Sequence, residues 1–291
     1  MVGRGKMGQI VLNIIFILMC ICAVAPFLLL ISSSLTEEAT LIREGYNFFP
    51  KKFSLESYEY LWNSFGKIAR GYGITVLVTV VGTTLGCLCT LLFAYPLSRK
   101  DLPFRKVFLF LVFFSMLFHG GLVPTYMMWT QTFHIKNTIW ALIFPGLLMN
   151  GFYINMMRSY FQANIPDSLI EAARLDGAGE YTILWKIVLP LSVPMVATMA
   201  LMLGLGYWND WTNSLYYITD ENLYSIQAIL NTIISNVQFL ATNTEAAAGM
   251  TIPSVGIRMA IAVIGIIPIL CIYPFFQKYF VKGIVVGGVK G

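Results

Sequence analysis

A short polar segment between two long apolar runs carries the most specific residue pattern in the chain. Residues 165–179 include Pro166 and Asp167, which suit the first turn of a helix, and Gly177, which suits the left-handed position after one. The pattern predicts a short helix from Pro166 to Asp176. Small residues at its centre would let another protein surface approach closely. The residues alone leave open the alternative of an ordinary helix in a surface loop.

Residue patterns that support catalysis or metal binding are scarce. The chain has no G-x-x-x-x-G-K-[ST] phosphate loop, no H-E-x-x-H and no G-x-S-x-G, so nucleotide chemistry would need a separate subunit. Two Cys-x-Cys pairs, Cys20/Cys22 and Cys87/Cys89, have a zinc-like spacing. Both lie inside apolar runs, where a free cysteine behaves as a small hydrophobic residue. We therefore expect no metal, no cofactor and no enzymatic activity on this chain.

The composition is that of an integral membrane protein. Hydrophobic residues make up 57% of the 291 residues and charged residues only 11%, against about 25% charged residues in a soluble domain. Basic residues occur in pairs between apolar runs rather than along one face. That distribution argues against nucleic-acid binding.

Six charge-free apolar stretches are long enough to cross the lipid bilayer, since a spanning helix needs about 20 such residues. Their approximate limits are 8–34, 72–97, 107–130, 137–157, 187–209 and 259–277. Two further segments, 54–66 and 223–240, have apolar residues on one helical face and are predicted to be external amphipathic helices. His119, followed by Gly120 and Gly121, indicates a break in the third stretch.

The distribution of Lys and Arg predicts the orientation in the membrane. Most of them fall on the side of the N-terminus, with a dense cluster at residues 99–106. The positive-inside rule then places both termini and the loop 158–186 in the cytoplasm. The prediction is an all-α integral membrane protein of six transmembrane helices that forms a single domain over 1–291. A secondary carrier is the alternative, but the spans hold no ionisable residue except His119 that could couple transport to ions.

The polar segment matches the EAA motif of ABC importer permeases without a gap, as Glu171-Ala172-Ala173, three residues, Gly177, nine residues, and Ile187-x-Leu189-Pro190. Over essentially its whole length the chain resembles the shorter permease of the maltose-type sugar importers. In that family the motif forms a coupling helix that docks on a cytoplasmic ATPase. The resemblance implies coupling roles for Glu171, Ala172, Ala173, Arg174, Asp176, Gly177, Leu189 and Pro190.

The same resemblance implies the fold, the partners and the location. The fold would be that of a type I ABC importer permease in a bacterial cytoplasmic membrane. The partners would be a second homologous permease in a heterodimer, a homodimeric ATPase that holds ATP and Mg²⁺, and an extracellular or periplasmic solute-binding protein. The chain ending resembles the family's C-terminal tail, which reaches the ATPase, and implies contacts by Gly287, Gly288 and Lys290.

Segments 48–55 and 120–126 resemble the polysaccharide and complex-oligosaccharide branch of the family. An oligosaccharide or polysaccharide fragment is the implied substrate, and another solute of the same importer class is the alternative. Sugars bind to aromatic rings and to neutral or acidic hydrogen-bonding groups. Residues of this kind near the outer ends of spans are Tyr126, Trp129, Trp208, Asn209 and Asp210. An aromatic belt at the membrane interface would have the same composition.

Overall fold

The computed structural model describes residues 6–242 and 254–288, and these residues fold into helices joined by short connections. No β-strand occurs in these two ranges; a single isolated antiparallel bridge joins Thr36 to Phe53. The predicted all-α class is confirmed.

The described ranges contain fifteen α-helices, two π-helices and one 3-10 helix. The α-helices are α1 Lys6–Ser34, α2 Glu38–Glu44, α3 Glu56–Trp62, α4 Phe65–Ser98, α5 Arg105–Leu117, α6 Leu122–Met127, α7 Trp140–Ile143, α8 Gly151–Asn164, α9 Asp167–Leu175, α10 Glu180–Ile183, α11 Leu189–Leu191, α12 Val193–Trp208, α13 Thr212–Tyr217, α14 Ile226–Thr242 and α15 Ser254–Gly288. The π-helices are Met128–Thr132 and Leu184–Val188, and the 3-10 helix is Glu221–Leu223.

Three helical segments are long and apolar enough to cross a membrane: Gly8–Ser34, Phe65–Ser98 and Val255–Pro274. Two further candidates are bent pairs, Arg105–Leu117 with Leu122–Thr132 and Glu180–Leu191 with Val193–Trp208, which bend by 114° and 83°. The described part of the chain therefore has three to five candidate spans by length and composition. Six spans and cytoplasmic termini stay predictions.

Glycine and proline account for the two bends. The first lies at His119-Gly120-Gly121, where the sequence indicated a break, and Gly121 has a φ of 88° that favours glycine. The second lies at Ser192, between Pro190 and Pro194. Proline lacks the backbone N–H that continues a helix, so the hydrogen-bond ladder is interrupted there.

The stretch 137–157 is not one helix, and the expectation of an unbroken helix was wrong. It holds the single-turn helix α7, a turn at Gly146 with a φ of 73°, and the first part of α8. The Asn150 side chain accepts a hydrogen bond from the Phe152 backbone N–H at 2.8 Å and begins α8. Apolar composition predicted membrane insertion but could not show that the backbone turns at Gly146.

The chain divides into two compact units. The first comprises the described parts of Met1–Lys67 and Leu230–Leu270. In it, the Glu38 carboxylate accepts hydrogen bonds from the backbone N–H groups of Val255 and Gly256, at 2.9 and 2.8 Å. This carboxylate satisfies free donors at the start of α15. The segments predicted as external amphipathic helices are helical, as α3 and α14, while their place outside the membrane stays a prediction.

The second unit comprises Ile68–Ile229 and the described part of Cys271–Gly291. Its largest buried cluster joins residues of α4, α8, α9, α12 and the segment 183–188. Buried members include Leu91, Ala94, Ile154, Met157, Phe161, Ile170, Ala173, Ile183, Val188, Met199 and Leu203. The segment that carries the EAA motif is therefore packed into the core of this unit.

Candidate coupling site and transport path

Helix α9 is the predicted coupling helix, and it starts and ends within one residue of its predicted limits. Pro166 precedes it in extended conformation, and Gly177 follows with a φ of 81°, as predicted for a left-handed glycine. The Ala178 backbone N–H donates to the Ala173 carbonyl at 3.0 Å and closes the helix end. Proline and glycine thus fix the length of α9.

The two faces of α9 differ in burial. Ile170, which is 3% exposed, and Ala173 pack into the core of the second unit. Glu171, Ala172 and Leu175 lie on the exposed side, and Leu175 is 90% exposed. A leucine that contacts almost nothing of its own chain, next to a small alanine, leaves an apolar surface open to a partner.

The structure divides the residues of the motif into two sets. Glu171, Ala172, Asp176 and Gly177 are exposed, as docking would require. Four others serve the chain itself: Ala173 is buried, Arg174 forms internal ion pairs, Leu189 packs against the core, and Pro190 lies at the bend before α12. Docking stays a prediction, and its exposed candidates now include Leu175.

Ion pairs hold the C-terminal end of α9. The Arg174 guanidinium donates through Nη1 to Asp101 Oδ2 at 2.8 Å and through Nε to Glu180 Oε1 at 2.8 Å. The Tyr95 hydroxyl donates to the other oxygen of Glu180 at 2.5 Å. Arg174 therefore links α9 to the loop after α4 and to the start of α10.

A second group of ion pairs holds the N-terminal end of α9. The Asp167 carboxylate accepts hydrogen bonds from Lys100 Nζ and Arg99 Nη1, each at 3.1 Å. Arg99 also lies 3.7 Å from Asp101, measured from Nε to Oδ1. Three consecutive loop residues therefore contact both ends of α9. We call the six charged residues the coupling clamp: Arg99, Lys100, Asp101, Asp167, Arg174 and Glu180.

The two aspartates of the clamp stay ionised at neutral pH. Hydrogen bonding from Arg174 lowers the pKa of Asp101, and hydrogen bonding from Lys100 lowers the pKa of Asp167. A lowered carboxyl pKa stabilises the folded state above the ordinary value, and this contribution is lost as the pH falls through the lowered pKa. Since the ordinary pKa of Asp is about 3.9, Asp101 and Asp167 can accept these hydrogen bonds as carboxylates at physiological pH. Exposed pairs contribute only about 0.2–1 kcal/mol each, so the clamp orients α9 more than it stabilises the fold.

The sequence did not reveal the clamp. Arg174 and Asp101 are 73 residues apart, and Arg99 and Asp167 are 68 residues apart. The sequence shows a dense cluster of charged residues at 99–106, but this cluster predicted only the orientation of the chain in the membrane. The one available signal was Asp101, an isolated acid within that basic cluster.

The two aromatic candidates for the transport path at residues 126–129 pack within their own unit. Tyr126 stacks on Tyr217 with ring centroids 5.7 Å apart, and Trp129 lies 5.1 Å from Phe133 and 6.2 Å from Phe144. Both belong to a cluster around the buried Tyr207. These contacts favour a packing role for both rings.

The candidates at the end of α12 also have local partners. Trp208 is 5% exposed and lies 6.2 Å from the ring of Tyr72. Asn209 donates to the Leu205 carbonyl at 2.9 Å. Asp210 accepts from the Thr212 backbone N–H at 3.1 Å and orders the start of α13. A role for these residues in sugar contact stays a prediction.

The predicted tail contacts lie at the end of the described chain. Gly287 and Gly288 are the last residues of α15, and Lys290 lies outside the described residues.

Comparison with known proteins identifies the family. A family model described as the binding-protein-dependent transport system inner membrane component matches residues 82–286. The chain belongs to this family. Binding-protein-dependent permeases of this kind are not enzymes themselves, and the ATPase is a separate subunit. The chain is a multi-pass membrane protein, and the family implies a second permease, an ATPase and a solute-binding protein as partners.

Relatives cover nearly the whole permease. Protein LplC of Bacillus subtilis (strain 168) is 38% identical over 92% of this chain and 90% of its own length. The polygalacturonan/rhamnogalacturonan transport system permease protein YtcP of the same strain is 37% identical over 96% of this chain and 95% of its own length. A solved bacterial ABC transporter involved in the import of the acidic polysaccharide alginate has a chain with a TM-score of 0.78 and 27% identity, over 95% of this chain and 99% of that one. The fold is that of type I ABC permeases.

Proposed function

We propose that this chain is one of two membrane subunits of an ATP-driven importer for oligosaccharides or polysaccharide fragments. The observation that carries the proposal is α9, a nine-residue helix with Ile170 and Ala173 buried and Leu175 exposed. A helix that is fixed on one side and open on the other is suited to receive a force from a partner. The matching EAA spacing indicates that this partner is the ATPase.

The names of related proteins support a sugar polymer as the substrate. One relative transports polygalacturonan or rhamnogalacturonan, another is an arabinooligosaccharide permease, and the solved structure concerns alginate import. We propose the same broad class for this chain. Another solute of the same importer class is the alternative.

The coupling clamp would transmit a movement of α9 to the rest of the subunit. When the ATPase dimer closes, its surface would displace α9 as a rigid piece. Because residues 99–101 contact both ends of α9, the displacement would move the end of α4 as well. The buried residues Ile170 and Ala173 would transmit it to α8 and α12. The subunit would thereby alternate between inward- and outward-facing states.

The remaining details of the assembly are part of the proposal. The second permease would be a homologue that forms a heterodimer with this chain. The ATPase would be a homodimer that carries ATP and Mg²⁺, and it would meet α9 and the C-terminal tail. Both chain ends would lie in the cytoplasm of a bacterial cell, and an external binding protein would deliver the sugar.

Co-purification in mild detergent tests the proposal. The tagged chain should retain a homologous permease and an ATPase, both identified by mass spectrometry. The reconstituted complex should hydrolyse ATP faster with a binding protein loaded with acidic or neutral oligosaccharides. Transport by the chain alone, in vesicles that lack ATP, would refute the proposal in favour of a carrier.

Removing carboxylates from the clamp should weaken coupling. In the double variant Asp101→Asn with Glu180→Gln, Arg174 loses both ionic partners. Because exposed pairs are each worth at most about 1 kcal/mol, we expect the amount of sugar transported per ATP to fall about threefold to tenfold. The measurement is sugar uptake and phosphate release in the same proteoliposomes.

The matched control is Glu37→Gln with Glu44→Gln, which likewise removes two carboxylates, here the ones that pair with Lys52 and Lys51 in the first unit. The control should keep the normal ratio of sugar to ATP. An unchanged ratio in the clamp variant would show that the clamp has no part in coupling.

A further inference from the structure

Two arginines flank the end of α4 in the second unit. Arg105, the first residue of α5, donates through Nε to the Leu97 carbonyl at 3.0 Å. Arg158, in α8, donates to the side-chain oxygens of Asn155 and Gln162, at 3.2 and 3.4 Å. Gln162 in turn donates to the Ser98 carbonyl at 3.1 Å. Both guanidiniums are therefore tied to the last carbonyl groups of the same helix.

The positive charge of this pair is not neutralised within the described part of the chain. Neither guanidinium meets a carboxylate there, in contrast to Arg99 and Arg174. Arg158 Nε is buried and has no hydrogen-bond partner. Burial, together with the nearby charge of Arg105, lowers the pKa of Arg158. The end of α4 offers about half a negative charge, which leaves most of the two positive charges uncompensated.

The free donors suit a phosphate group. Arg105 uses Nε for the Leu97 carbonyl, so both of its terminal nitrogens remain for a ligand. A planar guanidinium presents these nitrogens as a fork that matches two phosphate oxygens. Lys106, the exposed residue that follows, adds a further positive charge at the same helix end.

The adjacent surface of α5 suits acyl chains. Directly after the basic residues, α5 exposes Val107, Phe108, Phe110 and Leu111, and none of its residues is buried. An anionic group at the helix start and an apolar surface along the helix match a phospholipid. In the orientation proposed above, this helix end faces the cytoplasmic leaflet, where anionic lipids attract basic residues.

We propose that Arg105 and Arg158 form a binding site for the phosphate group of an anionic phospholipid of that leaflet. The headgroup neutralises the two guanidiniums, and the acyl chains cover the exposed side of α5. The lipid thereby holds α5 against α8 beside the coupling clamp. The site is independent of the solute that the importer carries.

Native mass spectrometry of the intact transporter tests the site. The complex is placed in phosphatidylcholine nanodiscs that contain increasing amounts of phosphatidylglycerol, and the retained phosphatidylglycerol is counted. Arg105→Gln should weaken retention about fivefold, and the double variant with Arg158→Gln more than about tenfold, since each cation near an anionic leaflet contributes at this level. Arg105→Lys should retain an intermediate amount, because it keeps the charge but loses the fork.

The matched control is Lys51→Gln, which removes one exposed cation whose charge is already paired with Glu44 in the first unit, and it should stay within about twofold of the original retention. If the double variant does not assemble, the phosphatidylglycerol retained by Arg105→Gln alone tests the proposal. Equal retention by Arg105→Gln and the unaltered transporter would overturn the proposal. Equal retention of phosphatidylcholine, or displacement of phosphatidylglycerol by inorganic phosphate, would also overturn it, the latter in favour of a site for free phosphate.

Discussion

Replacing Leu175 with Asp is expected to lower the amount of ATPase that co-purifies with the permease by more than about tenfold. Leu175 is 90% exposed at the end of α9, so it contributes almost nothing to the packing of its own chain. If the ATPase covers it, the complex gains about 1.5–3 kcal/mol from the buried side chain. An aspartate there would lose that gain and carry an unpaired charge into the interface.

The measurement is the molar ratio of ATPase to permease after affinity purification, together with ATP-dependent uptake. Leu55→Asp is the control, because Leu55 is also an exposed leucine but lies in a segment predicted to be external. The control should leave the ratio unchanged. A normal ratio with Leu175→Asp, in a chain that inserts at normal levels, would exclude α9 as the docking helix.

Local signals predicted α9 well because its limits depend on neighbouring residues. Pro166 cannot donate a backbone hydrogen bond within a preceding helix, and Gly177 accepts the left-handed conformation without strain. Both effects act within a few residues and can therefore be predicted from the sequence. The EAA spacing added the functional meaning of the helix.

Which residues of α9 are buried, exposed or ion-paired could not be predicted in the same way. Ala172 and Ala173 are chemically identical, yet one is exposed and the other packs against the core of the second unit. The family resemblance implied a coupling role for Arg174 but did not indicate that its charge is paired with Asp101 and Glu180 of the same chain. Such assignments depend on tertiary contacts between residues distant in the chain.

The break in the helix of residues 137–157 illustrates a second limit. Hydropathy measures whether a segment is stable among lipid tails, and it does not distinguish one long helix from two helices joined by a turn. The glycine at residue 146 permits the turn, but Gly73, which lies inside α4, shows that a glycine alone does not require one. The sequence indicates the other two bends more clearly, by a glycine pair at Gly121 and by two prolines on either side of Ser192.

Gly82→Ala is expected to destabilise the folded permease by about 1–3 kcal/mol, the usual cost of overpacking a core. Gly82, in α4, lies against the ring of Tyr207 in α12, and a Cβ atom there would come within 2.5–2.7 Å of three ring carbons. The ring has little freedom to move, since Tyr207 is 1% exposed and its hydroxyl donates to the Ile143 carbonyl at 3.0 Å. The higher helix propensity of alanine, worth about 1 kcal/mol, offsets only part of this cost.

Gly73→Ala provides the comparison within the same helix. No atom lies within 4 Å of a Cβ added at Gly73, so the substitution should leave the stability unchanged or raise it by up to about 1 kcal/mol. Thermal unfolding of the two variants in detergent measures the difference. Adding Tyr207→Leu to Gly82→Ala should recover part of the loss, because the smaller side chain makes room for the methyl group. Equal Tm values for Gly73→Ala and Gly82→Ala would show that α4 and α12 do not pack as closely as this contact requires, and movement of α4 would then not reach α12 through it.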